Sequence, residues 1–410
     1  MTAGLITIGN EILLGRTLNS NLAFIGARLA EVGVPLVESR TIRDEPDEIT
    51  RALAELWPRC DVLLTTGGLG PTKDDLTKAT IAAFFGRQMK HDEHTWQRVK
   101  ERFARRHLEA PELNRNQALV PVGFDVLDND HGTAPGLALS QGGKLFFAMP
   151  GVPAEMKFLL TTHIVPRLMD LPGRTPLWVR TMHTSGIPES TLAERLSDVE
   201  PPAGVNLAWL PQPGKVSLRV YGRDHQACQT LYDHLRQRLG SDVWGEGDDT
   251  PAHMLHEALL RRGLTLSVAE SCTGGMVTAE LTAFAGSSGY LLGGVAAYSN
   301  AAKMALLGVP GSVLEHHGAV SEEAARAMAG GVRAALQADM GLAITGVAGP
   351  SGGTPDKPVG TVHIAVATGR ETRHELLMLS GDRERVRRQA ADRVLLLAMQ
   401  TLDDYKGEDA

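Results

Sequence analysis

LTLSVAESCTGG, residues 264–275, joins an apolar run to a serine, a cysteine, a threonine and two glycines. LTLSVA reads as a strand and a helix is expected from near Gly274, so the small polar residues fall at a strand-to-helix junction. In open α/β sheets the ligand crevice lies at such carboxyl ends, where helix N-termini present unpaired N–H groups. Ser271 or Thr273 there is equally well placed as a helix cap. Cys272 is the better intrinsic nucleophile, but a thiolate needs an imidazole or a positive field. The spacing of His316, His317 and His363 gives none of them that role. Ser271 needs a base, and YSNAAK (298–303) offers Lys303 at the start of a helix after another apolar strand. An amine desolvated by burial can take a hydroxyl proton; an isolated lysine is more often a solvated charge.

Outward from this junction the same pattern repeats. A helix is expected from Pro251, and GYLLGGVAAYS, GLAITGVAG and VGTVHIAVATG supply further strands. ITGVAGPSGGTPDKPVGTVH (344–363) is long enough to rim a ligand, with Thr345, Gly346 and Gly349 in it, and lacks the GxGxxG spacing of a dinucleotide fold. GDRERVRRQAADR (381–393) opens a long amphipathic helix with Arg383, Arg385, Arg387 and Arg388. Positive charge there opposes the helix dipole, which suits an anionic partner such as a phosphate. Pairing with Asp382, Glu384 and Asp392 is the competing explanation.

The first 170 residues also alternate strands and helices: GLITIG, SNLAFIGARLAEVG, PLVESRTI, PDEITRALAELW, DVLLTTGG, KLFFAMPG and PAEMKFLLTTHIVPRLM. This order predicts βαβ crossovers and a mostly parallel sheet. In TTGGLGPTKDDLT (65–77), Gly67, Gly68 and Gly70 let the backbone curve around an anion. Asp74 and Asp75 can ligate Mg²⁺ or a similar oxygen-preferring metal, although an aspartate near a helix start also caps it. Residues 171–250 read as a small α+β connector. The expected architecture is thus α/β, with two α/β domains (1–170 and 251–410) of mostly parallel or mixed sheets flanking that connector.

At 410 residues the chain is too long for one ordinary core. With 43% hydrophobic and 22% charged residues it has a globular composition, and no run reaches membrane-spanning length. The N-terminus lacks the pattern of a secretory signal, so a cytoplasmic location is expected. A net charge of −7 gives no global basic field, which makes direct nucleic-acid binding unexpected. The three cysteines are scattered and form no CxxC pair. HDEH (91–94) lies at the start of a charged helix and reads as solvated surface. GSSG (286–289) misses the GxSxG elbow because position 290 is Tyr.

In order, AESCTGG, the GSS of 286–288, YSNAAK, HGAVS (317–321), TGVAGPSGG, KPVGTV and GDRERVRRQA resemble the C-terminal domain of CinA-type proteins, the nicotinamide mononucleotide deamidase family. The resemblance covers nearly all of 251–405. It implies Ser271 as nucleophile, Lys303 as its base, a structural Cys272 and no metal or other cofactor. Amides around Thr273, Gly274 and Gly275, helped by the Thr273 hydroxyl or by Thr345 and Gly346, would hold the oxyanion. Tyr298 and Asn300 are the implied orienting groups. The phosphate would sit near Ser287 and Ser288 with an opening-helix arginine, of which Arg385 and Arg388 are the candidates.

GNEILLG (9–15), NSN (19–21), TTGGLGPTKDDLT, HGTAPG (131–136) and MPGVPAEM (149–156) resemble the molybdopterin-binding-like domain of the same family. That likeness implies metal-dependent hydrolysis of ADP-ribose to AMP and ribose 5-phosphate. Asp74, Asp75 and Glu11 are then the metal-side groups, with Asn10 beside them and Gly67, Gly68 and Gly70 at the diphosphate. Where the family pattern has a basic residue before the Gln of NxxQA, this chain has Asn116. The two activities together would salvage pyridine-nucleotide breakdown products, and the family resemblance implies a homodimer. Two other readings are a molybdopterin-binding protein and a non-catalytic partner in competence or DNA repair.

Overall fold

A computed structural model describes residues 1–72 and 75–404. By backbone proximity it divides into two compact units, Met1–Val179 with Tyr221–His225, and Arg180–Val220 with Gln226 onward.

The first unit is built on a six-stranded sheet in the order Leu36–Ile42, Ala3–Ile8, Val62–Thr66, Lys144–Met149, Gly136–Gln141, Asp125–Leu127. The first four strands are parallel, and the last two turn antiparallel. Ala3–Ile8 and Val62–Thr66 are buried along their whole length, which is why they read as unbroken apolar runs. Alternate side chains feed two layers. Ile6, Ile8 and Leu63 pack with Ile49, Leu53 and Ile81, whereas Leu5, Val62 and Leu64 pack with Ile25, Leu29 and Leu160. The helix expected over 153–169 forms as Pro153–Leu159 and Val165–Met169, joined through a single wide π turn at Leu160–Ile164.

In the second unit, a four-stranded sheet runs Val205–Gln212, Lys215–Gly222, Trp178–Ser185, Val243–Glu246. A five-stranded sheet follows, in the order Leu291–Ala296, Leu266–Glu270, Met340–Gly346, Thr361–Ala367, Thr372–Met378. Its first three strands are parallel and its last two antiparallel. Helices cover both faces: Leu266 and Val268 pack with Leu255, Leu259 and Leu395, and Ala269 packs with Met328 and Val332. Leu266–Glu270 is an interior strand and fully buried, so residue 271 emerges at the carboxyl edge with helices on either side. The mixed α/β expectation holds. Of the two sheet forms expected, mostly parallel or mixed, both large sheets take the mixed one, with antiparallel pairing at one side.

Candidate functional site

The loop after the Leu266–Glu270 strand is shaped by Glu270. Its carboxylate is buried and accepts from the amides of Gly275 (2.9 Å), Val277 (3.2 Å) and Thr278 (2.9 Å) and from the Thr278 hydroxyl (2.8 Å). The Met276–Thr282 helix has no capping side chain of its own, so Glu270 satisfies its orphan N–H groups and supplies the favourable negative charge. To reach it, the chain turns through Gly274 (φ 62°) and Gly275 (φ 102°), a region that side-chain-bearing residues rarely occupy. The Ser271 amide donates to the Ile344 carbonyl at 2.9 Å, fixing the nucleophile candidate to the neighbouring strand.

Lys303 comes from the Asn300–Leu307 helix, which Ser299 caps through the Ala302 amide at 3.1 Å. Lys303 is 1% exposed and Ser271 8%. The Lys303 ammonium nitrogen lies 3.1 Å from Ser271 Oγ, 2.8 Å from the Ala297 carbonyl and 3.2 Å from the Tyr298 carbonyl. Burial pulls its pKa below the ordinary lysine value. A neutral amine has two N–H donors and one lone pair. Two carbonyls take the donors, so the lone pair is left for the Ser271 hydroxyl. Burial pushes the Cys272 thiol up to about 11, which keeps it protonated and apolar. The three histidines are engaged elsewhere: His316 with Ser312, His317 with Glu323 and His363 with His374.

Several expected site residues move. The amides of Gly274 and Gly275 are spent on Ser271 O and Glu270, and the Thr345 hydroxyl on Ala319 O. Among the described residues, the Cys272 and Thr273 amides bond no oxygen, and the Thr273 hydroxyl is buried without a partner. Both amides instead face the Cys272 sulfur, so the Thr273 hydroxyl is the donor the loop leaves unpaired. Ser287 and Ser288 lie on the turn entering Leu291–Ala296, whose first residue pairs with Leu266. They therefore sit at the opposite end of the sheet, about 16 Å along the strand from Ser271.

Arg385 and Arg388 are also displaced from the expectation. Arg385 is 61% exposed beside Asp382, and Arg388 pairs with Glu280 and Glu384. The arginines that reach the site are Arg383 and Arg387, one helical turn apart. Arg383 donates to the Gly349 carbonyl (2.7 Å) and the Tyr298 hydroxyl (3.2 Å); Arg387 donates to the carbonyls of Cys272 (3.2 Å) and Thr273 (2.7 Å). Tyr298 is thereby held at the site, mostly exposed, while Asn300 is an exposed first-turn residue of its helix. Gly346 lies where a Cβ would strike Val362 and the Thr361 carbonyl, so it serves strand pairing.

In the first unit, Gly67 and Gly68 (φ 114° and 65°) follow the Val62–Thr66 strand and wall a cavity of about 560 Å³. A Cβ on Gly67 would stand 2.0 Å from the Ile8 carbonyl, so only glycine lets the two strand ends approach. Gly70, Asp75, Glu11, Asn21 and Glu155 also line the cavity; Asn10 is exposed and does not. Glu155, within MPGVPAEM, was not singled out by sequence; Asn129 holds it at 2.6 Å and burial raises its pKa.

Of the expected metal-side groups, Asp75 and Glu11 fall among the described residues. Asp75 accepts from the Thr72 amide and hydroxyl, and Glu11 is exposed. Asp74 lies outside the described residues, among which no group of three His, Cys, Asp or Glu side chains converges. Beneath Asn116, buried Lys78 donates to the carbonyls of Asn116 (2.7 Å) and Gln117 (3.2 Å), with its pKa lowered to about 8 by burial.

Comparison with known families matches three consecutive stretches. A probable molybdopterin binding domain spans residues 4–170, a damage-inducible protein CinA KH domain 179–245 and a CinA C-terminal domain 248–402. A putative competence-damage inducible protein of Desulforudis audaxviator is 41% identical over 394 residues, covering 94% of this chain and 95% of its own. The chain belongs to the CinA family. A CinA-like protein of Gemmatimonas aurantiaca is 42% identical, covering 100% of this chain and 98% of its own. The solved CinA of Thermoplasma acidophilum is 35% identical, with a TM-score of 0.39, over 41% of this chain and 97% of its own. Residues 179–245 contain no GxxG, the loop with which KH domains clamp a nucleic-acid backbone. Among the described residues, no helix is long and apolar enough to cross a membrane.

Proposed function

We propose that this CinA-family chain is a hydrolase whose C-terminal domain deamidates nicotinamide mononucleotide through Ser271 and Lys303. The observation that carries this reading is the buried 3.1 Å approach of the lysine amine to the serine hydroxyl, with both of its N–H bonds directed at backbone carbonyls. Neutral Lys303 takes the Ser271 proton as Oγ attacks the carboxamide carbon. The C–N bond breaks, and Lys303 returns the proton to the departing nitrogen, which leaves as ammonia. Water then hydrolyses the ester, giving nicotinate mononucleotide and free Ser271. The Thr273 hydroxyl, the donor left unpaired in the loop, holds the oxyanion, where donors aimed at developing charge have their largest effect. Arg383 and Tyr298, at the exposed mouth, take the nucleotide phosphate. The test is ammonia release from nicotinamide mononucleotide with a chelator present. Activity in wild type and its absence in Ser271→Ala support the serine mechanism; full activity in Ser271→Ala refutes it.

A second activity is favoured by the glycine-walled cavity, whose 560 Å³ suits a nucleotide-sized ligand. We read it as the ADP-ribose hydrolysis site, with no step assigned to a metal. The competing molybdopterin-binding reading is separated by thermal shift: the ligand that raises the melting temperature and is hydrolysed, or bound without turnover, decides between them. A non-catalytic role in competence would be favoured if Ser271→Ala retained full cellular function. A cytoplasmic homodimer completes the proposal and is tested by light scattering and fractionation.

A further inference from the structure

The second unit contains a cavity that neither proposed activity uses. It measures about 440 Å³, within the range of small-molecule sites, and lies where the 213–215 turn of the four-stranded sheet meets the edge strand Thr372–Met378 and the Arg383–Asp404 helix. Leu377, Leu379, Leu396, Pro213 and Trp244 give it apolar walls.

Its charged groups are unevenly satisfied. Arg393 and Glu375 are joined by two bonds at 2.8 and 3.0 Å, and Gln389 donates to the Ser380 and Arg385 carbonyls. Asp392 and Lys215 also line the cavity, yet among the described residues neither side chain makes a hydrogen bond or an ion pair closer than 4 Å. Burial raises the Asp392 carboxyl above its ordinary value, with Lys215 and Arg388 opposing the shift. A largely buried carboxylate with no hydrogen bond of its own, offset only by the nearby charges of Lys215 and Arg388, is costly, and a ligand carrying the complementary group lowers that cost.

We propose that this cavity is a binding site for a zwitterion with an apolar body, of the class of apolar amino acids and short apolar peptides. Its ammonium would meet Asp392, its carboxylate Lys215, and its side chains the leucine wall. The helix that carries Asp392 and Gln389 also carries Arg387, five residues before Asp392, which grips the Ser271 loop. Occupancy is therefore positioned to bear on that loop. The binding claim itself does not depend on the deamidase reading.

The experiment is calorimetric titration of the full chain with L-leucyl-L-leucine, its N-acetyl derivative and its C-terminal amide. Saturable sub-millimolar binding is expected for the free dipeptide, and at least about tenfold weaker binding for each blocked form. Asp392→Asn should weaken the free dipeptide at least about tenfold without lowering the melting temperature, because a poorly solvated carboxylate is lost. Ser185→Trp, which fills the mouth from a neighbouring strand, should abolish binding. Absence of binding to wild type, equal binding of the three peptides, or binding unchanged in both variants would each overturn the proposal. A failed Ser271→Ala test with dipeptide binding intact would leave this site standing and remove only the deamidase reading.

Discussion

Replacing Lys303 by methionine keeps most of the buried stem and removes the amine. On the proposed mechanism Ser271 would then attack as a neutral hydroxyl, and the loss of a positioned base costs typically 10²–10⁴ in rate. The fall is expected in kcat, with KM within about twofold, because a side chain only 1% exposed does not touch the bound nucleotide. Since nucleophile and base act as a unit, the Ser271→Ala/Lys303→Met double variant should be no slower than the worse single one. The stability change is separable from the kinetic one. Methionine leaves the Ala297 carbonyl unpaired, at about 1–3 kcal/mol, partly offset by the loss of a desolvated amine. The exposed Tyr298 backbone can turn to water.

The pH dependence gives an independent check. The lysine is active when neutral, so kcat/KM for wild type should rise with pH through a pKa below the ordinary lysine value. The folded pKa is lowered, so the unfolded chain binds more protons between it and about 10.4. The Lys303 contribution to stability therefore improves as pH rises through that window. Coupled-enzyme detection of ammonia measures the rates, and urea unfolding the stability. Retention of more than a tenth of wild-type turnover by a folded Lys303→Met, or a rate independent of pH below 10, would refute the assignment of the base.

Glu270→Gln replaces an acceptor of four hydrogen bonds with a group that must turn an NH₂ toward N–H donors. It should lower kcat at least about tenfold while leaving KM nearly unchanged, and it should destabilise by about 1–3 kcal/mol in urea unfolding. Lys78 predicts a stability that climbs between about pH 8 and 10.5, by about 3 kcal/mol at most, and Lys78→Met should flatten that slope in pH-resolved denaturation. Gly67→Ala places a Cβ on the Ile8 carbonyl at a positive φ; a loss of about 2 kcal/mol or more, and of ADP-ribose hydrolysis if that reading holds, is expected. Arg387→Lys cannot span both loop carbonyls, so it should lower kcat more than Arg385→Lys, which leaves the site untouched.

The central strands were legible because a parallel strand buried on both faces is an uninterrupted apolar run, and LTLSVA and DVLLTT are of that kind. The edge strand Thr372–Met378 was not: TRHELLM is half-exposed and carries three charged or titratable residues in its first four positions. Ser271 and Lys303 were reached through motif order, whereas the choice among the arginines failed on helix phase. Arg383 and Arg387 share a face with the loop, but only the packing of that helix shows which face turns inward. Ser287 failed for a different reason. A motif residue before a parallel strand stands at the amino edge, and once Leu291–Ala296 is placed parallel to Leu266–Glu270 the turn cannot approach Ser271.

The sequence gives Glu270 no role, yet its position bears on whether Lys303 can act as a base at all. A carboxylate beside a buried lysine would hold it protonated, as opposite charges favour the ionised form. Glu270 is the residue immediately before Ser271, whose hydroxyl meets that amine, but four donors from the start of the next helix occupy its oxygens. The negative charge is thereby directed at a helix N-terminus instead of at Lys303. Among the groups acting on Lys303 the raising influence comes from Cys272, whose own thiol burial keeps neutral. The fold thus keeps a carboxylate next to Ser271 while leaving the lysine without a counter-ion, and the proposed mechanism rests on this separation of charges, which favours the neutral amine that would take the Ser271 proton.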